Sequence, residues 1–373
     1  MALILHGTVS DNTAVLSRPS AKPIIINGNM AIAQRAHGAV TGLGDGDEGY
    51  VTVDRIRHTV GATTAGRFTS TQEAVNDIPG FNESLNINCT TADTSIAAGE
   101  YFALEYRIEG QDLAHFAKGE ATAKPFTFAF YAKANAGFDF AVGFRDLDNA
   151  RHCSGALFTT TTGWTRHVIQ IPADTTGNFT NDANESLRIS IILHAGSNFT
   201  EGTLATAWAG YNDANEAPGI DSIFSSTDNF ISITGLQLEV GEYDINSIPP
   251  FQYEGYGENL LRCKRYCQST FSQGTDIGAA TSTGTIITSA AGVGAHRTST
   301  GHQWPVSLRA VPTIVIHNQT GGTTGSGRNG DTGALKTMSA GAASTESGHF
   351  EVSETFGNDG AQLQFQFSLT SEL

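Results

Sequence analysis

The chain has few cysteines and no long apolar run. Only four cysteines occur among 373 residues, at positions 89, 153, 263 and 267. They are too few and too unevenly spaced to indicate a disulfide framework, which favours a reducing compartment. No stretch approaches the length of a transmembrane helix, and Ala2–Leu5 lacks the charged lead of a signal peptide. We therefore expect a soluble protein without membrane insertion.

The common catalytic motifs are also missing from the sequence. It contains no Gly-x-Ser-x-Gly elbow, no His-Glu-x-x-His pair, no Walker loop and no Rossmann fingerprint. The regular repeats of a parallel β-helix, which would indicate a polysaccharide-cleaving spike, do not occur. We therefore predict no catalytic residues and no enzymatic activity.

Positive charge is scarce, and the imbalance is uneven along the chain. Residues 251–373 carry seven Lys or Arg and nine Asp or Glu, which leaves about −14 of the total net charge of −16 to residues 1–250. An acidic surface repels phosphate backbones, so we do not expect nucleic-acid binding.

What the chain does contain is turn formers and short alternating segments. It has 42 glycines, and period-two alternation of apolar residues, typical of strands with one buried face, recurs along it. The alternating segments are Phe102–Ile108, Phe126–Phe130, Phe138–Phe144, His167–Ile171, Leu187–Leu193 and Ile231–Val240. They predict an all-β protein built around a two-sheet sandwich. We expect the second and third segments to form a hairpin through Lys133–Gly137.

Residues 249–268 are predicted to link two domains. The consecutive prolines at 249–250 exclude both a helix interior and a central strand. Behind them, Leu260, Cys263 and Cys267 recur at helical spacing, which predicts a short helix. Two cysteines four residues apart supply at most half a metal site, so we interpret them as core residues.

The division into domains follows from this linker. After it, Leu363, Phe365, Phe367 and Leu369 form one wholly apolar strand face, which indicates a second packed unit. The predicted parts are an extended N-terminal arm over residues 1–44, a sandwich over 45–248, the linker with its helix over 249–268, and a smaller β-sandwich-like domain over 269–373.

Three groups of residues carry a resemblance to a known family. They are Ile25-Ile-Asn-Gly-Asn-Met-Ala-Ile-Ala-Gln-Arg35 with Tyr50-Val-Thr-Val-Asp-Arg55, the segment Thr90–Gly110, and Leu236-Gln-Leu-Glu-Val-Gly241 with Tyr256-Gly-Glu-Asn-Leu-Leu-Arg-Cys263. Together they resemble a signature of bacteriophage tail-fibre and related virion surface proteins. Ile56 departs from the family, which usually has an aromatic residue there, and this affects packing more than chemistry.

The resemblance implies both a fold and a function. The sandwich would be a jelly roll like that of carbohydrate-binding modules. The protein would be a structural tail-fibre component of the virion, made in the host cytoplasm, homotrimeric, and bound to other virion proteins and to a host-surface glycan. One alternative is a capsid decoration or head-fibre (cement) protein, and a second is a glycan-degrading tailspike.

Two features near the N-terminus suggest assembly and metal binding. The apolar residues Ile24, Ile25, Ile26, Met30 and Ile32 are candidates for an oligomer or anchor contact of the arm. The turn Gly42–Gly49 brings three carboxylates together, Asp45, Asp47 and Glu48. They could supply oxygen ligands to a structural calcium ion, although the spacing lacks the later glutamate of an EF-hand. An acidic surface turn is the alternative. We predict no other cofactor.

Ligand-binding residues are expected on loops, because a rigid sandwich presents function on its connections. Trp208 and Tyr211 lie in the long polar excursion Gly196–Asp228, and Trp164 follows a run of threonines. Their aromatic faces suit the CH-rich faces of sugar rings. The alternative for each is a half-buried structural aromatic residue.

Overall fold

The structure is a computed structural model that describes residues 22–289, 298–322, 324–352, 354, 356 and 361–373. Residues 1–21, the first half of the predicted arm, lie outside the described residues. Among those described, no helix is both long and apolar enough to span a membrane.

Two antiparallel sheets form the sandwich, as the alternating segments predict. In chain order its strands are β1 (Val40–Leu43), β2 (Gly49–Tyr50), β3 (Ile56–Gly61), β4 (Arg67–Ala74), β5 (Glu83–Thr91), β6 (Tyr101–Glu109), β7 (Phe126–Ala134), β8 (Asp139–Asp146), β9 (Arg151–Thr159), β10 (Thr165–Ile171), β11 (Glu185–Ala195), β12 (Ala209–Gly210) and β13 (Phe230–Val240). The back sheet has the order β1-β4-β5-β13-β7-β10, and the front sheet has the order β12-β9-β8-β11-β6-β3-β2. Strands that are distant in sequence are neighbours in both sheets, as in a jelly roll.

The two phenylalanine ladders face each other across the core instead of forming a hairpin. Strand β7 pairs with β10 and β13 in the back sheet, whereas β8 pairs with β9 and β11 in the front sheet. Phe128 of β7 and Phe144 of β8 meet edge to face, with ring centroids 5.9 Å apart. The predicted hairpin is therefore wrong. The short loop between these strands crosses from one sheet to the other, which lets both apolar faces fill one interior.

A second unit, the C-terminal unit, follows the sandwich and has its own core. It begins after helix α2 (Tyr256–Cys263); helix α1 (Ser197–Thr200) lies earlier, in the excursion after β11. The strands of the unit are β14 (Cys267–Ser269), β15 (Ile286–Ser289), β16 (Thr298–Gln303), β17 (Thr313–His317), β18 (Ser326–Asn329), β19 (Leu335–Gly341), β20 (Ser347–Val352) and β21 (Gln362–Thr370). The long strand β21 pairs with four of them and carries the buried Phe365 and Leu363. The all-β prediction, with a smaller second β unit, is confirmed.

The helix predicted at the linker is present, but it does not include Cys267. Helix α2 ends at Cys263, and Cys267 begins strand β14. Both cysteines are buried free thiols. Burial raises the pKa of Cys267 to about 12, so its thiol stays protonated and packs as a small apolar group.

Residues 22–44 are part of the folded body rather than an arm. Ile25 and Met30 are buried in the sandwich core, and Ile26 and Ile32 pack with Cys263 beside the C-terminal unit. Ile24 is half-buried against the sandwich core. The prediction of an oligomer or anchor surface is corrected for Ile25, Ile26, Met30 and Ile32, because side chains buried within the chain cannot contact a partner.

A glycine allows this segment to reach the sheet. The N–H of Leu236 donates to the carbonyl of Gly28 at 2.9 Å, and a Cβ on Gly28 would lie 2.2 Å from the carbonyl oxygen of Leu236. Any larger residue would separate the two backbones. The contact falls where the pairing of β13 with β7 shifts register, between Thr234 and Gln237.

Buried charges join the C-terminal unit to the sandwich. Glu109, at the end of β6, is fully buried and accepts hydrogen bonds from Arg265 at 2.9 and 2.7 Å and from the Tyr266 hydroxyl. Burial alone would raise the pKa of Glu109, but these hydrogen bonds hold it below its ordinary value. Glu372 pairs in the same region with Arg35 and Arg55. These buried hydrogen bonds and ion pairs therefore fix the C-terminal unit against the sandwich.

Candidate ligand-binding cleft

A cleft of about 360 Å³ opens on the outward face of the front sheet. We call it the front cleft. Its lining includes Glu48, Tyr101, Glu105, Arg145, His152, Arg188, Phe199, Tyr211 and Glu216. Strands β3, β6, β8, β9 and β11 supply its floor, and the excursion after β11 supplies one wall. This volume lies within the usual size range of small-molecule and oligosaccharide sites.

The strands place the floor residues by simple alternation. In β6, Phe102, Leu104 and Tyr106 are buried in the core, so Tyr101 and Glu105 point to the other face, where they line the cleft. The same alternation in β11 buries Ile189 and Ile191 and turns Arg188 and Ser190 outward. The polar floor is thus a direct consequence of the apolar core beneath it.

Backbone hydrogen bonds hold the excursion over the sheet. The short strand β12 pairs with β9, and the N–H of Tyr211 then donates to the carbonyl of Ala150 at 2.9 Å. Further along, the N–H of Ala217 donates to the carbonyl of Phe199 at 2.9 Å. These contacts bring Tyr211 and Phe199 to the cleft wall.

Aromatic rings occupy two parts of the cleft. Tyr101 and Phe199 pack together with ring centroids 4.9 Å apart. Tyr211 lies edge-on to His152 at 5.3 Å, and the guanidinium carbon of Arg145 lies 3.6 Å from the centre of its ring. Half-exposed rings beside charged groups are the combination that binds sugars, because ring faces receive CH groups while polar groups bind hydroxyls.

Ion pairs satisfy most of the charge on the floor. Glu105 is buried and pairs with Arg107 at 2.6 Å and with Arg188 at 3.6 Å. Arg188 also pairs with Glu185 at 2.6 Å. At the rim, Glu48 pairs with Arg57 at 3.0 Å. These groups form a rigid polar base whose charges already have partners.

Glu216 has a different environment. Burial raises the pKa of its carboxyl group, and the nearby Tyr211, Arg145 and Tyr101 oppose that rise. Burial likewise raises the pKa of both tyrosines, so their hydroxyls remain donors at neutral pH. Glu216 therefore lies near both aromatic parts of the cleft.

Of the three aromatic residues predicted to bind ligand, the structure places Tyr211 in the front cleft. Trp208 packs against the sandwich core, and its Nε1 donates to the carbonyl of Pro172 at 2.9 Å. Lys118 Nζ lies 5.4 Å from the centre of the Trp208 ring. Trp208 is thus a half-buried structural residue that anchors the excursion.

Trp164 lies on the opposite side of the sandwich. It lines a polar groove of about 410 Å³ on the back sheet, which we call the back groove, with Asn86 and Asn88. Its Nε1 donates to Asp77 at 2.8 Å, and Lys133 pairs with the same carboxylate at 2.6 Å. The structure therefore does not bring Trp164 and Tyr211 together.

The three acidic residues of the Gly42–Gly49 turn have protein partners. Asp45 accepts the N–H of Ala62 at 2.7 Å, Asp47 accepts that of Gly44 at 3.0 Å, and Glu48 pairs with Arg57. In the described part of the chain, no three His, Cys, Asp or Glu side chains are grouped so that they could hold a metal ion. Each carboxylate of the turn is therefore held by a group of the protein itself.

A buried polar chain elsewhere has the residue types of a hydrolase triad. Ser222 Oγ lies 2.7 Å from His194 Nδ1, and His194 Nε2 lies 3.1 Å from Glu100. The Ser222 hydroxyl oxygen also accepts the N–H of Phe224, whose ring packs edge-on against His194. These hydrogen bonds connect β11 to the turn Ile223–Ser225. The Ser222 hydroxyl is already engaged by groups of the protein.

Most residues of the front cleft were not predicted from the sequence. Arg145, Arg188, Glu105 and Glu216 were not predicted, although the first three stand at outward positions of strands whose inward positions were recognised. A search for charged residues alternating with core residues would have found them. Glu216 gives no such signal, because it lies in a loop.

Comparisons with known proteins do not assign this chain to a family, and the fold is described from its own strands. No family model matches the chain, and no curated protein matches it. One similar solved structure is described as CBM4, at 11% identity over 57% of this chain and 97% of that chain, with a TM-score of 0.28. A family 11 carbohydrate-binding module of a Clostridium thermocellum cellulase has 12% identity over 56% and 98%, with a TM-score of 0.27. A cyclase from Fischerella sp. TAU has 11% identity over 60% and 99%, with a TM-score of 0.30.

Proposed function

We propose that this protein is a structural, non-enzymatic bacteriophage tail-fibre protein that attaches the particle to a glycan of the host surface. The observation that carries the glycan part is the front cleft, where the rings of Tyr101, Phe199 and Tyr211 stand beside charged side chains on a rigid sheet. The assignment to a tail fibre is supported by the resemblance of the segments at 25–55, 90–110 and 236–263. Other virion proteins and a homotrimeric state belong to the same proposal.

The cleft suits a sugar for two physical reasons. The aromatic rings offer apolar faces that the CH groups of a pyranose ring can cover. The floor offers fixed donors and acceptors that do not need to reorganise when a ligand binds, which lowers the entropic cost of binding.

Glycan binding is tested by substituting Tyr211. We expect Tyr211→Ala to weaken binding to glycans on an array by about tenfold or more, because one anchor ring and its contact with Arg145 are lost. The matched control is Trp164→Ala, which removes an aromatic ring from the back groove and should leave binding unchanged. Loss of binding in the control alone would contradict the assignment of the cleft.

The place of the protein in the particle is tested by immunogold labelling of intact virions. Label at the tail tip is expected, and label spread over the head would contradict the tail-fibre proposal in favour of a capsid decoration protein. Light scattering after size exclusion should give the mass of a trimer. A stable monomer at micromolar concentration would count against a fibre.

A further inference from the structure

We propose that the front cleft selects an acidic sugar, whose carboxylate binds between Arg145 and His152. This inference deepens the proposed function and rests on it, because it names the class of glycan that the cleft would take. Arg145 and His152 are two polar side chains of the cleft whose hydrogen-bonding capacity is not fully used among the described residues.

Among the described residues, Arg145 is a cation of the cleft whose hydrogen-bonding capacity is not fully used. In the described residues its Nε is buried without a hydrogen-bond partner, and it forms no salt bridge of the kind that Arg107 and Arg188 form with Glu105. Its guanidinium is stacked 3.6 Å from the centre of the Tyr211 ring. Stacking holds the guanidinium plane still while its terminal N–H groups remain available to a ligand.

His152 supplies the second unused group. Its side chain lines the cleft and is only 3% exposed, and neither ring nitrogen has a hydrogen-bond partner among the described residues. Buried polar atoms without partners are rare in folded proteins, because each costs free energy comparable to a lost hydrogen bond. Burial, followed by the nearby charge of Arg145, lowers the pKa of His152, so the ring is neutral at pH 7 and has one N–H donor.

The nearby carboxylates do not cancel Arg145. Arg145 lowers the pKa of Glu216, but burial raises that pKa more. Asp213 adds to the raised pKa of Tyr211 and partly opposes the lowered pKa of His152. Glu105 and Glu48 are paired with other arginines. The open positive charge therefore belongs to Arg145.

Local charge outweighs the negative charge of the whole protein at this site. The net charge is −16, but repulsion between exposed charges is largely screened beyond about 8 Å at physiological ionic strength. A carboxylate that binds Arg145 bidentately forms charge-assisted hydrogen bonds at short range. His152 can donate a further hydrogen bond, and the sugar ring can cover the Tyr101–Phe199 pair.

The test is a paired array of oligosaccharides that contain uronic or nonulosonic acids, each beside its carboxyl-reduced neutral counterpart. We expect the unmodified protein to prefer acidic forms by about tenfold or more, as expected for one charge-assisted pair. In Arg145→Met this preference should disappear, so that each acidic form binds no better than its neutral counterpart. The matched control, Lys133→Met, removes one positive charge from the back groove and should keep the preference.

The outcomes separate this inference from the proposed function. Equal binding of acidic and neutral forms, or a preference that survives in Arg145→Met, would overturn the acidic-sugar inference and leave glycan binding standing. Absence of binding to every glycan by the unmodified protein would overturn both. Circular dichroism and thermal unfolding of each variant confirm that it is folded, and Arg145→Lys, which keeps the charge, should restore part of the preference.

Discussion

The two outer faces of the sandwich carry the same kinds of residue and differ in how many of their polar groups are already satisfied. In the back groove, the Trp164 indole N–H and the Lys133 ammonium both bind Asp77. In the front cleft, Arg145 Nε and both nitrogens of His152 have no partner among the described residues. An aromatic residue near a loop is therefore weak evidence for a binding site. Unused hydrogen-bonding capacity beside it is stronger evidence.

The largest expected effect comes from removing the support beneath the front cleft. Phe102 is fully buried under the front sheet and stacks on Phe68 at 4.3 Å and on Phe224 at 5.7 Å. We expect Phe102→Ala to lower the free energy of unfolding by about 3–5 kcal/mol, because it leaves a cavity and removes two ring contacts. Urea unfolding measures this free energy. Trp164→Ala, at a half-buried site on the back sheet, should lower it clearly less.

A second prediction compares buried histidines of the two sheets through pH. Burial, with a smaller contribution from Arg57, lowers the pKa of His58 in the front sheet to about 3, and burial lowers that of His167 in the back sheet to about 4. An unfolded histidine has a pKa near 6.5, so the unfolded state binds more protons below that pH, and stability falls as the pH decreases. The loss begins near pH 6.5 and ends near each folded pKa.

For His58 this loss amounts to about 2 kcal/mol at pH 5, since each pH unit below 6.5 contributes about 1.4 kcal/mol. His167 is only partly buried, so its contribution should be smaller and should end near pH 4. Urea unfolding of His58→Met at pH 7 and pH 5 is the measurement. Its stability should depend less on pH than that of the unmodified protein, and an unchanged dependence would contradict the prediction.

The smallest expected effect concerns the ion pair of the back groove. Lys133 and Asp77 are 29% and 47% exposed, and their contact of 2.6 Å is at the surface. We expect Lys133→Met to change the free energy of unfolding by less than about 1 kcal/mol, because water screens exposed pairs and the side chains lose entropy in forming them. A loss of 2 kcal/mol or more in urea unfolding would show that the groove is more tightly coupled to the fold than its exposure indicates.

Local patterns predicted the elements well and their partners poorly. The alternation through Phe126–Phe130 and Phe138–Phe144 identified two strands, but it could not decide between a hairpin and a crossing between sheets, since both place the phenylalanines in a core. Ile25 and Met30 were assigned to the N-terminal arm as candidates for an oligomer or anchor contact, because their segment is strongly apolar. They are instead buried in the core of the sandwich, and a backbone hydrogen bond from Leu236 of β13 to Gly28 holds their segment there.

The sequence by itself determined that this is an all-β protein with a sandwich followed by a second β unit, because apolar alternation is a local property of strands. Tertiary structure alone decided which aromatic residue faces a cleft. Tyr211 and Glu216 reach the front sheet through backbone contacts of a loop, and Arg145 and His152 become neighbours only because β8 and β9 pair. The site depends on strand pairing and on contacts of a loop with the sheet, and apolar alternation specifies neither.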